Sequence, residues 1–116
     1  MKKYKTLVIA LIVVALLAAL ISLGRLTNKP SMILFFGDTC PHCKNVEKYI
    51  ADNNVRNKLK FQELEVYNNQ ANAQLLTQTA QKCGLDVSNG VGVPLFFDGQ
   101  TCIEGDEPII NFFKTK

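Results

Sequence analysis

Apolar positions along the chain change period several times, and each change marks a structural element. Residues 6 to 24, TLVIALIVVALLAALISLG, run without a charge and with only Thr6 and Ser22 as polar side chains. As a helix this run spans roughly 28 Å, the thickness of a bilayer's hydrocarbon core. SMILFF (31–36) is a second continuous apolar run, short and ended by Gly37, as expected of a strand buried on both faces. Val46, Tyr49 and Ile50 then recur at helical spacing, with Cys43 on the same face, until the Asp and Asn residues of ADNNV stop the pattern.

KFQELEV follows with strand alternation. Leu64 and Val66 share one side and Glu63 and Glu65 the other, while Leu59 and Phe61 fall out of phase. NNQANAQLLTQTAQKCG predicts a second helix, capped by Asn68 or Asn69, stopped by Gly84, with Leu75, Leu76, Thr79, Ala80 and Cys83 as its stripe. FDGQ (97–100) between LFF and TCI predicts a two-residue hairpin. Asp106, with Glu107 and Pro108 behind it, predicts the N-cap of a last helix whose Ile109, Phe112 and Phe113 form one face.

The order is β-α-β-α-β-β-α after one apolar helix: an α/β domain with a parallel first unit and an antiparallel end. The predicted organisation is a tail at 1–5, a transmembrane helix at 6–24, a linker at 25–30 and a domain at 31–116. An uncleaved anchor and a cleaved secretion signal both fit the first run. The anchor is preferred because the run is long and lacks an Ala-x-Ala site. Lys2, Lys3 and Lys5 outnumber Arg25 and Lys29 across it, which places the N-terminus in the cytoplasm and the domain outside.

The net charge of +3 changes meaning once it is located. Five of the 13 basic residues lie in residues 1–29, where there are no acids, leaving eight against ten acids from Pro30 onward. A slightly acidic domain with charges scattered along its sequence predicts no basic face for nucleic acid, so none is expected as a partner.

Cys40-Pro41-His42-Cys43 carries the candidate chemistry. C-x-x-C spacing alone serves disulfide exchange and metals alike. Here it stands between a buried strand and a helix, so Cys40 falls at a helix N-terminus, where free amides and the macrodipole favour a thiolate. Pro41 suits the first helical turn. His42 brings a positive charge toward that thiolate, and Cys43 sits one turn on, placed to resolve a mixed disulfide. Lys44 excludes haem attachment, which needs C-x-x-C-H. A zinc site wants four ligands, and the only His lies inside the motif, so no metal is assigned. Asp38 is a loop acid or a proton acceptor for Cys40. Cys83 reads as a buried free thiol, with a Cys83–Cys102 disulfide and a second relay pair as alternatives.

With CPHC at a strand–helix junction, GVPLFFDGQ at the third and fourth strands and this element order, residues 31–113 resemble a thioredoxin-like domain of glutaredoxin size. The resemblance implies a four-stranded mixed sheet. It implies a cis proline at Pro94 beside the dithiol and a Val93 backbone offered to an extended substrate. The chain has no Trp, so thioredoxin's WCGPC is absent. The Pro-His pair resembles that of the periplasmic disulfide-forming oxidants, whose potentials lie near about −120 mV against about −270 mV for thioredoxin. EGDEP (104–108) falls where glutaredoxins hold glutathione, but only Gly105 and Asp106 match, which leaves glutathione use open.

The expectation is a monomeric, membrane-anchored thiol–disulfide oxidoreductase that needs no dissociable cofactor. It exchanges with protein thiols or disulfides and with a redox partner. A metal-handling module for copper or zinc and a non-catalytic interaction domain are the alternatives.

Overall fold

In the computed structural model, which describes residues 1–25 and 31–116, the uncharged run belongs to helix α1, Lys2–Arg25. Its segment Lys2–Leu23 is long and apolar enough to cross a membrane, and none of it is buried. The linker expected at 25–30 lies, beyond Arg25, outside the described residues. From Ser31 the order is β1 (Met32–Phe36), α2 (Pro41–Asp52), α3 (Val55–Lys58), β2 (Phe61–Glu65), α4 (Gln70–Lys82), β3 (Leu95–Phe97), β4 (Cys102–Glu104) and α5 (Asp106–Lys114). Only the one-turn α3 has no counterpart in the sequence pattern. The strands form one mixed sheet in the order β2-β1-β3-β4, with β1 and β2 parallel and the other pairs antiparallel.

The central β1 shows why its sequence does not alternate. Leu34 points into a core with Val46, Ile50, Phe96, Ile109 and Phe113, which the helices α2 and α5 cover. Ile33 and Phe35 point the other way, into a core with Val66, Leu76 and Leu95 under α4. Both faces exclude water, so every position is apolar. Phe35 and Phe96, each 0 % exposed, are core residues.

The phase conflict in β2 has the same origin. Phe61 packs against Phe113 with ring centroids 5.6 Å apart on the α5 side, whereas Leu64 and Val66 face α4. On the α5 side beyond Phe61, Glu63 pairs with Arg56 instead of meeting core (2.6 Å). The strand is thus apolar on one face at its start and on the other at its end.

Two local signals act as expected. Asn69 accepts the Asn72 N–H at 3.1 Å and caps α4. Gly84, at φ 80°, ends α4: its N–H bonds Gln81 and that of Leu85 bonds Ala80, both at 3.0 Å. The hairpin is displaced by one residue from the expected one. Asp98 N–H donates to the Thr101 carbonyl, so Gly99 and Gln100 are the central pair, with Gly99 at φ 102° in the first place. Asp98 instead uses its carboxylate to accept the Gln100 and Thr101 amides at 2.8 and 2.7 Å.

Candidate functional site

β1 delivers the chain to the site and a turn aims it. Cys40 N–H bonds the Gly37 carbonyl at 3.2 Å, closing the bend between β1 and α2. Cys40, in extended conformation, is the N-cap of α2, and Pro41 occupies the first helical position. The cap acceptor is the Cys40 sulfur itself, which takes the Cys43 N–H at 3.2 Å. The Cys43 sulfur takes the Gly37 N–H at 3.5 Å. The two cysteines are joined in a disulfide with Cα atoms 5.2 Å apart, a separation well suited to such a bond. Each sulfur therefore has an amide ready to stabilise negative charge when the bond opens.

Cys40 and Cys43 are 5 % and 1 % exposed, so both are buried and Cys43 is the deeper. Cys40 Sγ lies 3.6 Å from the Val93 carbonyl oxygen, across 53 residues of sequence. The Val93–Pro94 peptide is cis. The Pro94 carbonyl accepts the Gly105 N–H at 3.0 Å, which ties this segment to the entry of α5.

His42 does not face a sulfur as its hydrogen-bond partner. Its exposed ring places Nδ1 3.1 Å from Asp106 Oδ2, and Asn45 Nδ2 donates to the same oxygen at 2.7 Å. Asp106 was expected as the N-cap of α5. Gly105, at φ 89°, takes that place with no side-chain cap, and Asp106 is the first helical residue. The reason is tertiary: α5 begins against the first turn of α2, so the carboxylate meets donors from α2 and need not cap its own helix. A carboxylate on Nδ1 sets the neutral imidazole to donate from that nitrogen, leaving Nε2 as its free acceptor.

Asn45 and then His42 hold the Asp106 carboxyl down to about 2, from an ordinary 3.8. A depressed carboxyl stabilises the fold above its unfolded value, and that contribution disappears as pH falls through the folded one. Between about pH 4 and 2 the wild type should therefore lose stability that Asp106→Asn never had. Chemical denaturation across that range measures this as two curves that converge toward pH 2; parallel curves would contradict it.

A second acid at the site escaped the sequence reading. Glu65, the last residue of β2, accepts the Tyr67, Asn68 and Asp38 amides at 2.7, 2.9 and 3.2 Å. Desolvation pushes its carboxyl up, but the amides of Asn68, Tyr67 and Asp38 outweigh it and hold the carboxyl below the ordinary range. Glu65 so pins the loop before Cys40 to the loop before α4. Asp38 joins this arrangement through its backbone, and its side chain is exposed.

The Tyr67 ring completes the contact by lying over Gly37, where a Cβ would run into its ring atoms. The obstruction is the end of a half-exposed side chain, so Gly37→Ala should displace the ring and cost about 1 kcal/mol. The cost should vanish when Tyr67→Ala is made as well, which a double-mutant cycle in urea reads directly.

Cys83 and Cys102 lie elsewhere. Of the readings open for Cys83, the structure has the disulfide and not the free thiol: Cys83 is the C-cap of α4 and is bonded to Cys102, with Cα atoms 5.9 Å apart. Cys102 pairs with Phe97, which pairs with Ile33 near the start of β1. The dithiol follows the other end of that strand, so the two disulfides sit at opposite ends of the sheet. No cluster of three or more metal-ligating side chains occurs among the described residues. No protein-family model and no curated protein matches the chain.

Proposed function

We propose that the protein is a membrane-anchored thiol–disulfide oxidoreductase with a thioredoxin-like domain at 31–116, held outside the cytoplasm by α1. The observation that carries this reading is the contact of Cys40 Sγ with the Val93 carbonyl, beside the cis Val93–Pro94 bond. It brings a redox-capable disulfide at a helix N-terminus against a backbone segment able to hold an extended polypeptide. The mixed sheet, with its single parallel pair, supports the same fold.

In the oxidising direction a substrate thiolate attacks Cys40 Sγ, the Cys40–Cys43 bond breaks, and Cys43 leaves as a thiolate that takes up a proton. A second substrate thiol then gives up its proton and, as a thiolate, attacks the substrate sulfur of the mixed disulfide and releases Cys40 as a thiolate. The substrate gains a disulfide and the protein holds the two electrons. Reduction is the reverse: Cys40 attacks, and Cys43 resolves. The Cys43 amide and the α2 dipole stabilise the Cys40 thiolate in both directions.

The full-length protein should catalyse insulin reduction or dithiol oxidation, and Cys40→Ser should reduce either rate to background. Stoichiometric copper or zinc on the reduced protein with no exchange activity would overturn the reading. The reduction potential decides direction: near about −120 mV supports disulfide formation, and near about −270 mV supports reduction.

A further inference from the structure

The sheet sorts the charges of this domain by end. Lys58 closes α3, Lys60 precedes β2, Lys82 closes α4, and Lys114 and Lys116 lie at the end of α5. All five are exposed, and all lie at the end of the sheet where β1 begins. Two contacts check that placement. Lys60 lines a cavity with Ser31, Met32 and the Asp98–Gln100 turn. Phe113 stacks on Phe61, the first residue of β2.

Of the acids at this end, Asp52 is paired with Lys48 and Glu63 with Arg56. Asp86 and Asp98 keep their charge on backbone amides, so the five lysines outnumber two unpaired carboxylates. At the dithiol end the balance inverts. Asp38, Glu65, Glu104, Asp106 and Glu107 gather there, while Lys44 is bonded to Glu47.

Chain continuity shows which end is tethered nearest α1. Residues 26–30 alone join α1 to Ser31, and five residues reach at most about 20 Å. With α1 in a bilayer, Ser31, at the lysine-bearing end, is therefore tethered within about 20 Å of the end of α1. Anionic lipids attract such cations within a screening length of the surface.

We propose that this end of the domain, through Lys58, Lys60, Lys82, Lys114 and Lys116, docks on the anionic headgroup surface of the bilayer that α1 crosses. Docking holds the dithiol facing away from the membrane, toward soluble polypeptides. The acidic dithiol end is repelled by the same surface, so both charge clusters favour one orientation. This inference rests on α1 as a membrane span and not on the redox reading, which exchange activity in the same sample tests separately.

The test uses the full chain in nanodiscs of phosphatidylcholine, with or without phosphatidylglycerol, containing a headgroup-attached spin-label quencher. A fluorescent amino acid replaces Gln100 in one sample and Glu107 in another. At Gln100, quenching should be at least about twofold stronger in the anionic discs. The difference should vanish at about 1 M salt, where the screening length is about 3 Å. It should also vanish in K58Q/K60Q/K82Q/K114Q/K116Q, while the Glu107 probe stays unquenched in both lipids. Equal quenching at Gln100 in the two lipids, or stronger quenching at Glu107, would overturn the proposal. The salt arm needs no variant, so a misfolded quintuple mutant would not rescue it.

Discussion

Cys43→Ser should turn the protein into a covalent trap, accumulating a mixed disulfide through Cys40 while turnover stops. Two facts determine which sulfur is captured. Cys43 is sealed at 1 % exposure beneath the first turn of α2, with its sulfur on the Gly37 amide. Cys40 caps the helix from outside its first turn, and its sulfur touches Val93, where an extended chain would lie. A substrate sulfur held along Val93 therefore reaches Cys40 first. Without Cys43 there is no internal thiol to break the adduct, because the remaining cysteines are bonded to each other at the far end of the sheet. Non-reducing electrophoresis of Cys43→Ser, Cys40→Ser and the double variant should show adducts only in the first. Adducts on Cys40→Ser instead would reverse the assigned roles.

The other large effect is on stability. Removing the Cys83–Cys102 bond with paired alanines should cost about 3 kcal/mol, the loop-closure value for a ring of this size. For a domain of this length that corresponds to a fall in Tm on the order of 10–20 °C. The bond staples the C-terminal end of α4 to β4, a three-residue strand at the sheet edge. β4 pairs with β3 alone, so it has few other restraints in that direction. Thermal unfolding by circular dichroism measures the loss. The Cys40–Cys43 potential, set at the opposite end of the sheet, should hardly move in the same variant. A large shift in potential would mean that the two disulfides are coupled through the fold.

Much of the framework is written in runs of neighbouring residues. The uncharged run of α1, the unbroken apolar β1, the helical spacing of Val46, Tyr49 and Ile50, and the Asn69 and Gly84 caps depend on residues a few positions apart. Their energies are local, so periodicity exposes them. CPHC belongs to this class too, because its place before a helix follows from the pattern on either side. The hairpin was partly legible: DG marks a turn, but the Asp98 side chain decided which two residues form its centre.

The rest depends on what the fold brings together. His42 and Asp106 are 64 residues apart, and only the docking of α5 on the start of α2 makes Asp106 a partner for His42 instead of a helix cap. Glu65 looks like an outward strand residue, yet the bend after β1 brings the Asp38 amide to it from 27 residues away. Cys83 shares the apolar stripe of α4, and nothing in that stripe reveals that β4 presents Cys102 to it. The phase break in β2 is explained only by two cores on opposite faces. By itself the sequence determined the apolar N-terminal helix, the element order apart from α3 and the cysteine pair at a helix start, because hydropathy and capping act between near neighbours. Tertiary structure alone decided what surrounds the dithiol, which cysteines pair and which end carries the lysines, because those depend on contacts that exist only after the chain has closed on itself.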